Sequence, residues 1–212
     1  MVRLLELFAG THSIGKAFAK AGWDVVSLDM DGNSDITCDF MDWDWTVYPP
    51  DHFDCVWASP PCTMYSRART RAKTPRDMEG SDRLVRRVLD CIDYFACTWF
   101  MENPQTGYLK TRPVVQGLPF RDVSYCRYGF EYKKATRIWT NSQWAPLPMC
   151  SRANPCEQLR EGVHPISAQR APAKVGGVRR ATADDKCTLE QLYSMPEGLC
   201  DDICRAATIS LR

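Results

Sequence analysis

The chain has 212 residues, 44% of them hydrophobic and 25% charged, which suits one domain with a single sizeable core. No apolar run approaches the length needed to span a bilayer, and "MVRLLELFAG" lacks the apolar region and cleavage site of a secretory signal. The net charge of +1 excludes a generally basic nucleic-acid binder, and the 11 cysteines without a signal imply reduced thiols and an intracellular setting, cytoplasmic or nuclear.

In chain order, "RLLELF" (3–8) reads as a buried strand and "SIGKAFAKAG" (13–22) as a helix starting near Ser13 and ended by Gly22. "WDVVSLDMD" (23–31), "DITCDF" (35–40) and "FDCVWAS" (53–59) are three further strands. "SDRLVRRVLDCIDYFA" (81–96) is an amphipathic helix with Ser81 as the expected N-cap and Leu84, Val88, Leu89 and Ile92 on one face. "TWFMEN" (98–103) is a fifth strand. "FRDVSYCRYG" and "TRIWTN" are expected to pair as an antiparallel edge. Strand–helix alternation predicts an α/β fold, an open and mostly parallel sheet with helices on both faces. Residues 144–185 lack periodicity and include the Gly176 and Gly177 pair before Val178, Arg179 and Arg180, so they read as a small irregular insert. Residues 186–212 contain a closing helix, with Pro196 expected in its first turn. The catalytic core is then 1–143.

Gly10 follows the first strand directly and Gly15 lies in the next helix, which allows a sharp turn and close backbone approach to a ligand. Asp29 and Asp31 end the second strand and Asp39 ends the third. Acids there can accept from ribose hydroxyls and an exocyclic amine, which suggests a cofactor containing adenosine. Cys62 follows the fourth strand directly after Pro60 and Pro61, and Glu102 ends the fifth just before Pro104. A thiolate is a nucleophile, and nearby cations or a helix N-terminus favour that form. A partly desolvated carboxyl with a raised pKa can hold a proton for a ring nitrogen. After Cys62, Arg67, Arg69, Arg71, Lys73 and Arg76 form a basic loop with no acid before Asp77. Its position favours contact with substrate phosphates over a merely solvated surface. Cys126, Cys150, Cys156 and His164 form a candidate Cys₃His zinc set, although the spacing is not that of a tight Cys-x-x-Cys signature.

These segments resemble, in order, the motifs of the DNA cytosine-5 methyltransferase family. "LELFAGTHSIGKAF" resembles its first motif and "SPPCTMYS" its Pro-Cys nucleophile motif. "MENP" resembles its Glu-Asn-Val motif, "KKATRIW" its Gln-x-Arg-x-Arg motif, and "YSMPEGLCDDICRAA" its closing motif. The resemblance implies a Rossmann-like, class I fold dependent on S-adenosylmethionine. It implies DNA as partner and methyl transfer to cytosine C5 through a covalent Cys62 intermediate. It gives Glu102 the N3 edge of the base and Arg137 the region of the target base. Phe8, Ala9, Gly10 and Thr11 would line the cofactor, with Asp29 and Met30 at its ribose, Asp39 and Phe40 at its adenine, and Pro60 shaping the turn near the methyl donor.

Three departures stand out. His12 replaces a glycine of the first motif. Lys133 and Ala135 replace the glutamine and first arginine of the later one. The insert is also much shorter than the family's target-recognition region, which implies a short recognition site. The chain is expected to be a monomer, with a separate recognition partner left open. A catalytically inactive or partner-dependent binding module of the same fold, or an enzyme acting on RNA or nucleotide cytosine, stands as the alternative.

Overall fold

Residues 3–7, 55–58 and 98–104 are near-continuous apolar runs, the pattern of strands covered on both faces. In the computed structural model they are β1 (Arg3–Leu7), β4 (Cys55–Ala58) and β5 (Thr98–Pro104) at the centre of a seven-stranded sheet. The structure describes residues 1–160, 162–164, 166, 174–175, 178–179 and 189–211. The sheet order is β3-β2-β1-β4-β5-β7-β6, with β2 (Asp24–Asp29) and β3 (Ile36–Thr37) on one side. On the other side β7 (Ala135–Thr140) runs antiparallel between β5 and β6 (Phe120–Ser124), whereas the pairs from β3 to β5 are parallel. This is the mostly parallel α/β sheet with an antiparallel edge that the alternation predicts.

Alternate side chains of the strands separate two hydrophobic layers. Leu5, Val56, Met101 and Trp139 meet α2 (Met78–Phe95) on one face. Leu4, Trp57, Phe100 and Ile138 meet α1 (Ser13–Lys20) and the final long helix on the other. α2 starts earlier than expected. Asp77, not Ser81, is its N-cap, and its carboxylate accepts from the Gly80 N–H at 2.7 Å. A carboxylate at the helix's positive end outcompetes a hydroxyl one turn further in. The buried face accordingly includes Val85, Cys91 and Phe95, while Leu84 is only half-buried.

α1 starts at Ser13 as expected, with His12 as its N-cap. His12 adopts φ 55° and makes no capping bond with its side chain. Periodicity missed the short α3 (Leu189–Tyr193). The closing helix is α4 (Glu197–Ser210), with Pro196 just outside it as N-cap. Trp144 belongs to the core layer. Its ring lies edge-on to Phe100 at 6.1 Å, and its Nε1 donates to Asp202 at 3.0 Å. β8 (Lys174–Val175) and β9 (Val178–Arg179) form a small antiparallel pair, while the Gly176 and Gly177 pair and Arg180 lie outside the described residues. Among the described residues no helix is long and apolar enough to cross a membrane.

Candidate active site

The sequence-predicted site residues from Phe8 to Glu102 gather at the C-terminal ends of the parallel strands, where open α/β sheets hold their ligands. The turn after β1 is built from left-handed residues: Phe8 at φ 59°, Gly10 at φ 49° and His12 at φ 55°. Glycine accepts that conformation freely, but a bulky phenylalanine does so only under strain, which tends to mark functional turns. Asp29, at the end of β2, ties the turn down. Its carboxylate accepts from the Gly10 N–H at 2.9 Å and from its neighbour Met30 at 2.6 Å. Asp39 accepts from the Met41 N–H at 2.8 Å.

Phe40 is buried with its ring 5.3 Å from Phe8, and it stacks on Trp45 at 6.0 Å. The Arg87 guanidinium caps that wall, 4.4 Å over the Trp45 ring. A cleft of about 560 Å³ opens at the start of α1, lined by Gly10, Thr11, His12, Ser13, Lys16 and residues of α3. It reaches Gly10 and Thr11 of the expected cofactor residues but not Asp29, Asp39, Phe40 or Pro60. An open glycine turn, carboxylates at successive strand ends and an aromatic wall are the donor set that an adenosine-containing group requires.

Cys62 stands on the turn after β4. Asn103, fully buried on β5, donates its Nδ2–H to the Pro60 carbonyl at 2.9 Å and so fixes that turn against the neighbouring strand end. The Cys62 carbonyl then accepts from the Tyr65 N–H at 3.0 Å. The thiol is half-buried, and its pKa is raised, first by burial and then by the Glu102 carboxylate, with Lys134 pulling it down. This corrects the expectation that the loop arginines favour the thiolate. Arg69 is engaged by Thr74, donating to its carbonyl at 2.9 Å, and Arg76 donates to the Met64 and Ser66 carbonyls. Arg67 and Arg76 also lie 5.2 and 5.4 Å over the Tyr108 ring. Arg71 and Lys73 are exposed at the loop tip. The cation that acts on the thiol is Lys134, which the sequence reading passed over.

Glu102 is 8% exposed. Burial raises its pKa, while Lys134 and the hydroxyls of Thr136 and Tyr125 act to lower it. None of these hydroxyls completes a hydrogen bond to the carboxyl. Glu102 Oε1, Thr136 Oγ1 and Tyr125 OH are each buried and without a partner among the described residues. Three buried polar atoms left unpaired around one carboxyl are costly, and a polar ligand entering between them relieves that cost.

Arg137 is not brought to this group. It pairs in register with Asn103, so it lies on the sheet face opposite Glu102. Its guanidinium grips Asp122 at 2.7 and 2.8 Å and covers the Phe120 ring at 3.5 Å. The candidate zinc residues do come together. The ligand atoms of Cys126, Cys150, Cys156 and His164 all lie within 4.8 Å of one another.

No family model matches the chain. It is 36% identical over 172 residues to a probable DNA (cytosine-5)-methyltransferase of Frog virus 3 (isolate Goorha), an alignment covering 74% of this chain and 79% of the relative. Its fold is similar to that of a methyltransferase from Entamoeba histolytica, with a TM-score of 0.59 at 9% identity over 100% of this chain and 99% of that one. A putative DNA modification methyltransferase from an E. coli prophage superposes at a TM-score of 0.49 and 15% identity, covering 66% of this chain and 46% of that longer protein. With the relative's sequence matched over most of both chains and a class I sheet carrying Cys62 beside Glu102, the protein belongs to the DNA (cytosine-5)-methyltransferase family.

Proposed function

We propose that the protein methylates cytosine C5 in DNA, with Cys62 as nucleophile and Glu102 as the group that protonates the N3 edge. The observation that carries this reading is the buried Glu102 carboxyl, with a raised pKa and an unpartnered oxygen, beside a half-buried thiol. Phe8, Ala9, Gly10, Thr11, Asp29, Met30, Asp39, Phe40 and Pro60 are the residues that would hold S-adenosylmethionine. When bound, that cofactor supplies an electrophilic methyl group. The rest is done by the chain's own residues.

The Cys62 sulfur adds to C6, while a proton on Glu102 bonds N3 and draws the electron pair into the ring, making C5 nucleophilic. After C5 is methylated, loss of its proton to solvent breaks the C6–S bond and expels the thiolate, and the N3 proton returns to Glu102, which restores the aromatic ring. The two side chains are coupled. Ionised Glu102 pushes the thiol pKa up, so a proton on Glu102 both activates the base and removes that repulsion. Lys134 steadies the thiolate once it forms. A base inside a duplex is out of reach, so the target is flipped out or is already unstacked. Arg67, Arg71 and Lys73 would meet phosphates, while Arg69 and Arg76 bond carbonyls of the same loop. The recognition site is short.

Methyl transfer from labelled S-adenosylmethionine to duplex DNA tests this. The wild type is expected to incorporate label and Cys62→Ser to lose at least about 10³-fold, with modified cytosines then mapped by sequencing. Undiminished transfer by Cys62→Ser would sink the covalent mechanism. Incorporation into RNA or free nucleotide but not DNA would replace the substrate.

A further inference from the structure

We propose that Cys126, Cys150, Cys156 and His164 bind one zinc ion, which fastens residues 150–164 to the end of the β6–β7 hairpin. The geometry fits. His164 Nε2 lies 3.3 Å from Cys156 Sγ and 3.8 Å from Cys150 Sγ, and all four ligand atoms fall within 4.8 Å of one another. Tetrahedral zinc with bonds of about 2.3 Å to sulfur and about 2.0 Å to nitrogen spaces its ligands at roughly 3.5–3.8 Å. Three thiolates and an imidazole are soft donors that select zinc over magnesium or calcium.

The surroundings argue for a metal over simple packing. Among the described residues, the buried members of the hydrophobic cluster at this point are the three cysteines, with half-buried Leu159 against them. Three thiols bury little apolar surface, yet they hold a stretch whose regular structure, among the described residues, is an isolated bridge between Arg160 and Val163. The frame around them is already set. The Cys150 N–H donates to Ser124 Oγ at 3.3 Å, and Arg127 donates to the Pro155 carbonyl at 3.0 Å. Charge is balanced as well. A zinc ion on three thiolates carries a net −1, and Lys133 sits beside it, donating to the Cys150 carbonyl at 2.7 Å. Lys133, a departure from the family's glutamine, thereby acquires a reason. Cys126 directly follows Tyr125, so the ion would hold the turn that presents the Tyr125 hydroxyl near Glu102. The metal proposal itself does not depend on the methyl-transfer reading.

The test is metal content of the intact chain, purified under reducing conditions from zinc-supplemented growth. The wild type is expected to carry one zinc per chain. Its cobalt-exchanged form is expected to show the intense visible bands and thiolate charge-transfer absorption of a tetrahedral site. Cys156→Ala and His164→Ala are each expected to lose most of the bound metal. Should the variants fail to fold, stripping the wild type with a chelator replaces them, with a lowered melting temperature restored by zinc as the expected result. Folded wild type holding less than about a tenth of an equivalent of zinc overturns the proposal, as does a cobalt form without thiolate charge transfer. A disulfide among these cysteines in folded, metal-free protein overturns it equally.

Discussion

Glu6 is a carboxyl inside β1 that an apolar reading of "RLLELF" absorbs without notice. It is 2% exposed, and its Oε1 accepts from the Gly15 N–H at 3.0 Å. Burial pushes its pKa from 4.5 to about 7, against the opposing pull of the Gly15 and Ile14 N–H groups and Lys16. The folded state therefore keeps a proton that the unfolded chain gives up. The resulting stability is fully present below pH 4.5 and is lost as pH rises through about 7, a swing of about 3 kcal/mol. Urea melts are expected to show Glu6→Gln losing about that much less stability than wild type between pH 4.5 and 8. Gly15 is required by the same carboxyl, because a Cβ there would collide with Glu6 Oε2, so Gly15→Ala is expected to cost about 1–3 kcal/mol despite its better helix propensity. At the proposed site the coupling gives a second prediction. Glu102→Gln removes the charge that raises the Cys62 thiol pKa, so mass-mapped alkylation of Cys62 at neutral pH is expected to speed up even as methyl transfer falls by about 10²–10⁴-fold. Slower or unchanged alkylation would break the link between the two groups. Cys62 and Glu102 are legible in the sequence because Cys62 directly follows Pro61 and Glu102 stands two residues before Pro104, near adjacent strand ends. Glu6 and Lys134 are not, because their effect depends on which sheet face and which distant turn they meet.

At the scale of elements, the basic loop divides by what each cation holds. Arg69 and Arg76 bond loop carbonyls, whereas Arg71 and Lys73 stand exposed. Arg71→Ala with Lys73→Ala is expected to lower the salt-dependence slope of DNA binding by about 2 while leaving the melting temperature unchanged, as titrations at several salt concentrations would reveal. An unaltered slope would place the DNA elsewhere. The loop runs into α2, whose start rests on Asp77; Asp77→Ala is expected to cost about 1 kcal/mol by denaturant melting. Strand positions were legible from short apolar runs, and α2 from its stripe. Its first turn was not, because capping is decided by side-chain geometry that periodicity does not carry. Arg137 shows the same limit from another side: its place in the motif is clear, but the pairing with Asn103 and the grip of Asp122 turn it to the far face.

For the whole molecule, alternation of strands and helices was enough to imply the α/β class, while the wedging of β7 between β5 and β6 depends on long-range pairing that no local stretch encodes. α4 completes the second layer, burying Leu199, Ile203 and Ala207 with Leu4, Trp57 and Phe100 from the sheet. Ile203→Ala is expected to cost about 2–5 kcal/mol, read as a lowered melting temperature. That layer also sets an order of events during synthesis. The sheet face formed by β1 and β4 stays without one of its two helices until residues 199–207 have emerged from the ribosome, and the free edge of β5 waits for β7. The nascent chain thus carries an open apolar face and an unpaired strand edge through much of its translation, the two features that recruit chaperones and seed aggregation.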